Sequence, residues 1–413
     1  MQKSIEKISK AYTLFIVLLP FFSVYASGLP GFTVGDIILL VFFIYRIVTG
    51  IKEGHLSISF KMWPIMLLVV MIPIITIISM LGQTQTDSYS IIIRIVRRLF
   101  YYLCVVLISG EWFDADCAKK AIITAGKIGA IYLFAQYIAY YGGRIVLHGY
   151  LPFLPVYHES YSQLDYQSLY RNMFRPTSFL LEPAHFARYA CIPLIFLVHD
   201  RQQENSLAWS FILSAAIVAS TSGTGTLCVA LIWGIWIINS LKEAVQTGKL
   251  KTKQIVILLL IAVALMASFG NNVVQSTINR ISNTNLTDIN TAGGARFRGY
   301  LQYFQLPPFN LIFGMGYGST PSTSLVTWFS GASYILYGCG LVGFLICMYL
   351  FIKLYSGSVD FNQKVLCVVF FLLFFIDDCF MSHVSVLFLS FICMGEKRDK
   401  SDPTVELNLR GNM

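Results

Sequence analysis

Apolar runs of membrane-crossing length recur from one end of this chain to the other, and no other feature constrains the fold as strongly. They lie near residues 11–28, 34–50, 63–82, 91–109, 119–141, 177–199, 207–222, 224–241, 254–270, 332–354, 364–377 and 380–395. About 20 apolar residues in helical form cross the roughly 30 Å hydrocarbon core of a bilayer. The pattern therefore predicts an all-α polytopic membrane protein with about twelve transmembrane helices and both termini on one side. The 207–241 stretch also reads as a single hairpin turning at Ser220–Gly225. Composition closes off the other classes. Only 12% of the 413 residues are charged and mean hydropathy is +0.66, against roughly 25% charged in soluble domains. A cytosolic enzyme, a secreted disulfide scaffold and a disordered chain are excluded. The formal net charge of +9 would suggest nucleic acid in a soluble protein. In a membrane protein cytoplasmic Lys and Arg account for it, so membrane lipids are expected as partners and nucleic acid is not. The first run follows Lys3, Lys7 and Lys10, as in a signal peptide, but a second run follows almost at once and predicts a retained first helix. Residues 1–413 read as a single integral membrane domain.

Cation placement sets the expected orientation. With the N-terminus in the cytoplasm, nineteen cations fall at inner ends, fifteen of them Lys. Ten fall outside, and all ten are Arg: 94, 97, 98, 144, 171, 175, 188, 280, 296 and 298. Lys suffices as a point charge against anionic lipid, whereas the planar fork of Arg grips phosphate or carboxylate through two hydrogen bonds. An outer face with ten Arg and no Lys thus points to a phosphorylated or carboxylated ligand. The bland reading pairs individual arginines with structural carboxylates or lipid head groups. Two outer segments are long, 142–176 and 271–331, and long segments of this kind usually carry function. All nine Cys lie outside both, so no disulfide framework staples them. The absence of an internal repeat weakens the case for an inverted-repeat transporter.

Four groups of residues could carry chemistry. The first opens the sixth span, from Arg171 through Arg175, Glu182, Pro183 and His185 to Arg188 and Tyr189. Read as a helix, it sets Arg175 and Glu182 on one face, His185 one turn below Glu182, and Arg188 near mid-membrane, with Pro183 kinking the span. Ionisable groups at that depth cost about 2.5 to 3.5 kcal/mol each and mark functional cavities by default. The competing reading is a structural Glu182–Arg188 or Glu182–Arg175 ion pair. A partly desolvated Glu182 beside His185 suits a general base. The second group runs from Gly293 through Arg296, Arg298, Tyr300 and Pro307-Pro308 to Gly314-Met-Gly316-Tyr-Gly318. Residues 295–305 predict an amphipathic helix at the outer interface, ended by the double Pro, and the glycines permit close backbone approach to a ligand. The third is Arg94, Arg97 and Arg98, whose spacing puts all three on one helix face, as a substrate site or as a lipid head-group anchor. The fourth is the tyrosine-rich first outer segment and its approach: Tyr132, Tyr137, Tyr140, Tyr141, Tyr150, Tyr157, Tyr161, Tyr166 and Tyr170. Tyr rings suit sugars and interfacial belts alike. Asp377, Asp378 and His383 are secondary acid–base candidates. There is no His-Glu-x-x-His, no paired Cys and no Walker A motif, so neither metal, cofactor nor ATP is expected.

These residues resemble the polysaccharide polymerase and O-antigen ligase superfamily. Arg175 through Tyr189 is similar to the R-P-x-S-x-x-x-E-P helix of Wzy-type polymerases, and Arg296 through Gly318 to the outer-loop pattern of an Arg, an aromatic helix and P…G-x-G-x-G. The resemblance implies a GT-C-like glycosyltransferase in the bacterial inner membrane, with its active site facing the periplasm. Its substrates would be undecaprenyl-pyrophosphate-linked repeat units, as both donor and acceptor, joined into O-antigen or a related surface polysaccharide without metal and with inversion. Glu182 would be the base, with His185 the alternative. Arg175, Arg188, Arg296, Arg298, Arg94, Arg97 and Arg98 would hold pyrophosphate, and Tyr157, Tyr161, Tyr166 and Tyr300 the glycan. A chain-length regulator would be a further partner. Ligases that pass the glycan to lipid A-core carry a His-Asn pair soon after the glycine segment, where this chain reads Ser319-Thr-Pro-Ser-Thr-Ser-Leu-Val-Thr-Trp328 with no His. A lipid-linked oligosaccharide flippase is the competitor from another class; the one-sided Arg set argues against it.

Overall fold

The computed structural model describes residues 2–81, 88–157, 174–199, 206–248, 292–319, 329–394 and 404–408. They are predominantly helical: α1 (Gln2–Phe22), α2 (Val34–Glu53), α3 (Trp63–Leu81), α4 (Ser88–Cys104), α5 (Ala115–Gly143), α6 (Pro183–His199), α7 (Ser206–Ala219), α8 (Gly223–Thr247), α9 (Ala292–Phe304), α10 (Pro308–Phe313), α11 (Gly331–Gly357), α12 (Phe361–Ile376) and α13 (Val384–Cys393). Among the described residues, α2, α3, α5, α8 and α11 are long and apolar enough to cross a membrane, and α7, α12 and α13 are shorter apolar helices. Eight of the twelve expected runs coincide with these helices; those at 11–28, 91–109 and 177–199 overlap α1, α4 and α6, and the run at 254–270 lies outside the described residues. One expectation is corrected. The sixth span does not begin near 177: residues 174–182 are irregular and α6 starts at Pro183. Pro disfavours helical geometry in the residue before it and fits the first helical position, where no N–H is needed. Pro183 therefore starts the helix rather than kinking it, and Arg175 and Glu182 share no helix face.

The chain forms two compact units. The first comprises residues 1–121, 155–157 and 286–413, the second 122–154 and 158–285. In the first, α2 opens with a capping box between Thr33 and Asp36 and closes at Gly54 in the left-handed region, as these residue types favour. A two-stranded antiparallel ribbon follows, β1 (His55–Ser59) with β2 (Thr404–Asn408), running from His55 opposite Asn408 to Ser59 opposite Thr404. It sets the C-terminal strand at the same end of this unit as the α2–α3 connection. Arg46, one of the nineteen cations counted at inner ends, is buried there, paired with Glu111 and lying 5.8 Å from the Trp112 ring. Its Nε donates to Leu107 O, inside a π-helical turn at Val105–Ser109 that prolongs α4. The core joins α11, α12 and α13 through Phe351, Phe370, Phe374, Phe380 and Phe388, with the Phe370 and Phe388 rings stacked at 5.0 Å.

The helix α11 is broken at Gly340, which adopts φ 64° and ψ −165°. Segment 310–319 fills the break: Met315 N donates to Tyr337 O, and an added Cβ on Gly314 would lie 2.3 Å from Gly338 C. The opposite side of that segment is held by α3, where Tyr317 N donates to Thr76 Oγ1 and Ser79 Oγ to Phe313 O. The Gly-x-Gly-x-Gly run thus serves close approach, as the sequence suggests, but the partner of Gly314 is the protein's own helix. In the second unit, glycines let α5 and α8 approach α6 closely: a Cβ on Gly225 would lie 2.5 Å from Ala187 Cβ, and one on Gly126 2.7 Å from Pro193 Cγ.

Candidate functional site

In the second unit the segment Phe174–Glu182 is fixed from several sides before α6 begins. Phe174 stacks on Tyr140 at 4.3 Å and Phe179 on Tyr132 at 4.2 Å. These tyrosines, offered by the sequence as sugar platforms or belt residues, brace the lead-in to α6. Ser178 sits at φ 56°, a conformation a non-glycine residue keeps only when its surroundings hold it. The buried Gln136 does so. Its Oε1 accepts from Ser178 N at 2.9 Å, and its Nε2 donates to Leu147 O and Ser178 O at 2.9 and 3.2 Å. Ser178 Oγ adds a bond to Gly129 O at 2.8 Å. Gln136→Leu would strand one buried N–H and two carbonyls. We expect it to cost about 3 kcal/mol, read as a lower thermal midpoint of the purified protein; an unchanged midpoint would mean that the segment is held elsewhere.

This frame presents the first candidate cluster. Glu182 immediately precedes α6, and its carbonyl accepts from His185 N and Phe186 N at 3.0 and 3.2 Å. Its carboxylate therefore stands at a helix N-terminus, where the macrodipole favours negative charge. Glu182 Oε2 and His185 Nε2 are 3.7 Å apart, and each side chain is 25% exposed. One turn further on, Arg188 is buried at 3% exposure. Arg175 donates from Nε to Thr221 Oγ1 at 3.1 Å, on the turn where Ser222 caps α8. Thr221 is itself at φ 59°. A carboxylate one quarter exposed beside an imidazole, with guanidinium groups from the same stretch of chain, can accept a proton and hold an anion.

The second cluster belongs to the first unit. The expected amphipathic helix is α9, spanning Ala292–Phe304. The side chain of Arg296 lies outside the described set, as do Tyr161 and Tyr166. Arg298 Nη1 is buried and finds no hydrogen-bond partner among the described residues. Tyr300, expected to bind glycan, donates to Phe375 O at 3.0 Å and lies 3.1 Å from Ser330 Oγ, so it also ties α9 to its neighbours. Partial burial raises its phenol pKa. Gly299 allows α9 to approach α11, since a Cβ there would lie 2.8 Å from Ser333 Oγ. Asp377, a secondary candidate, is buried: its carbonyl accepts from Gly331 N and its Oδ1 from Cys379 N.

No family model and no curated protein matches the chain. The reading of its chemistry therefore rests on its own residues. The three arginines of α4 have protein partners. Arg94 Nη1 donates to Gly318 O at 2.7 Å. Arg98 lies over the Tyr334 and Tyr317 rings at 4.4 and 5.4 Å, with Nη1 buried and unbonded among the described residues. Burial pushes the Tyr317 phenol up against the lowering effect of Arg98, so it stays neutral. Arg97 meets Asp36, Tyr101 and Tyr157. Tyr157, expected to bind glycan, is thus an internal partner. Sequence reasoning missed Asp36 and Gln136. The Thr33-x-x-Asp36 spacing signals a cap, and a glutamine within an apolar run signals a buried polar role. Among the described residues no three His, Cys, Asp or Glu come together as metal ligands.

Proposed function

We propose that the protein is a GT-C-like glycosyltransferase that polymerises undecaprenyl-pyrophosphate-linked repeat units at the periplasmic face of the bacterial inner membrane, with twelve spans and both termini in the cytoplasm. The observation that carries this reading is the Glu182–His185 pair, a quarter exposed, with Arg188 buried one turn further along the same helix. Glycosyl transfer from a lipid pyrophosphate needs little more. A saccharide hydroxyl oxygen attacks the anomeric carbon, the bond from that carbon to the pyrophosphate oxygen breaks, and undecaprenyl pyrophosphate leaves with the bonding pair. The hydroxyl proton passes to Glu182, and fixed positive charge stabilises the leaving group. Arg175 and Arg188 fill that role in the second unit. In the first unit Arg298 and Arg98, each with a buried guanidinium nitrogen that no described residue engages, are the pyrophosphate candidates, together with Arg296. The β1–β2 pairing supports a C-terminus on the same side as the α2–α3 connection, as an even number of spans requires.

The test is a choice of acceptor. Purified protein receives lipid-linked repeat units and lipid A-core together. A polymerase lengthens the glycan on its undecaprenyl carrier and leaves lipid A-core unmodified. Transfer to lipid A-core would make the protein a ligase, and movement of the intact lipid between leaflets without a new bond would make it a flippase.

A further inference from the structure

The three arginines on α4 each reach a residue of a long segment between helices, and all these contacts lie within the first unit. Arg97 has every guanidinium nitrogen engaged. Nε donates to Tyr101 Oη at 3.1 Å, Nη1 to Tyr157 Oη at 2.7 Å, and Nη2 meets Asp36 Oδ2 at 3.0 Å. Asp36 is 1% exposed, so Arg97 already neutralises a buried carboxylate. An anionic ligand at Arg97 would have to displace that carboxylate and leave a buried charge unpaired, or stand beside it against like-charge repulsion. Tyr157 is also pinned through its backbone: its N donates to Val24 O at 2.9 Å, and Ala26 N donates to Pro155 O at 2.9 Å. Three residues before Arg97 in sequence, Arg94 holds Gly318 O, and Arg98, four residues after Arg94, holds the Tyr317 ring. Tyr157 is the last residue of the first unit before the chain passes to the second unit at His158, whereas Gly318 lies within the continuous first-unit stretch 286–413.

We propose that Arg94 and Arg97 are positioning residues, Arg97 fixing the point where the chain leaves the first unit at Tyr157 and Arg94 fixing the glycine-rich segment lodged in the break of α11, and that neither is a ligand for substrate phosphate. α4 thereby acts as an internal clamp with two independent ties. One joins Arg97 to Tyr157 and the α1–α2 connection; the other joins Arg94 to the glycine-rich segment lodged in the break of α11. The assignment does not depend on which glycan, or whether any glycan, is the substrate.

Amide hydrogen exchange on the full-length protein in nanodiscs separates the ties. Tyr157→Phe removes one hydroxyl and leaves the Arg97–Asp36 pair, so the fold should persist. It should speed exchange in peptides covering 24–26 and 155–157 by about tenfold and leave 315–319 unchanged. Arg94→Met should do the reverse, and Arg94→Lys, which keeps one donor, should restore the wild-type rate. Millimolar inorganic pyrophosphate should alter neither region in the wild type. The proposal is overturned if both regions loosen together in either variant, if neither responds, or if pyrophosphate slows exchange at 315–319 in the wild type but not in Arg94→Met.

Discussion

Glu182→Gln is expected to slow the proposed glycan transfer by orders of magnitude while leaving the protein folded. The amide keeps the size of the side chain and the backbone carbonyl that starts α6, so the helix N-terminus is retained. What it loses is the ability to take a proton from the attacking hydroxyl. Removal of a general base typically costs about 10²- to 10⁴-fold, and the loss should fall on turnover rather than on substrate affinity. His185→Asn provides the internal comparison. If His185 only orients Glu182 across 3.7 Å, its loss is much the smaller of the two. A His185 variant as inactive as Glu182→Gln, with the Glu182 variant retaining activity, would reverse the roles. Equal and complete loss in both, with native melting behaviour, would point to a coupled acid–base pair.

Gly340→Ala removes folded protein from the membrane. The residue occupies φ 64° and ψ −165°, a region that residues bearing a Cβ scarcely populate. The space is closed as well, since an added Cβ would lie 2.2 Å from Ile312 O and 2.6 Å from Gly314 N. Backbone does not yield as a flexible side chain does, so segment 310–319 would have to withdraw from the break in α11. Withdrawal would also break the bonds that hold it there, from Met315 N to Tyr337 O and from Tyr317 N to Thr76 Oγ1. We expect a loss of at least about 3 kcal/mol, read as a collapse in the yield of monodisperse protein. Gly357→Ala is the control, because nothing lies within 4 Å of a Cβ there. Indistinguishable yields for the two variants would show that the break is not needed for folding.

The helices were legible because bilayer-length apolar runs are local patterns, and each helix reflects its own stretch of sequence. Pro183 was misread because proline inside an apolar run and proline at a first helical turn have the same sequence; only the irregular Phe174–Glu182 segment distinguishes them. The spacing of Arg94, Arg97 and Arg98 was visible, but their partners were not. Gly318 is 224 positions from Arg94, and Tyr157 is 60 from Arg97. Contacts of that range are products of the fold. The glycines at 314, 316 and 318 announced a need for special backbone geometry, and each has positive φ; that Gly314 meets helix α11 is a fact of tertiary structure. Glu182, His185 and Arg188 were legible because ionisable residues are rare within apolar runs and stand out.

The central claim is that this protein joins lipid-linked glycans using only the substrate's own pyrophosphate as the driving leaving group. Purified protein in nanodiscs, given a single substrate, the undecaprenyl-pyrophosphate-linked repeat unit, with EDTA and without nucleotide, tests it most directly. The account predicts a ladder of products spaced by one repeat unit, with release of undecaprenyl pyrophosphate in step with each bond formed. Folded protein that yields no ladder from the matching glycan would contradict it.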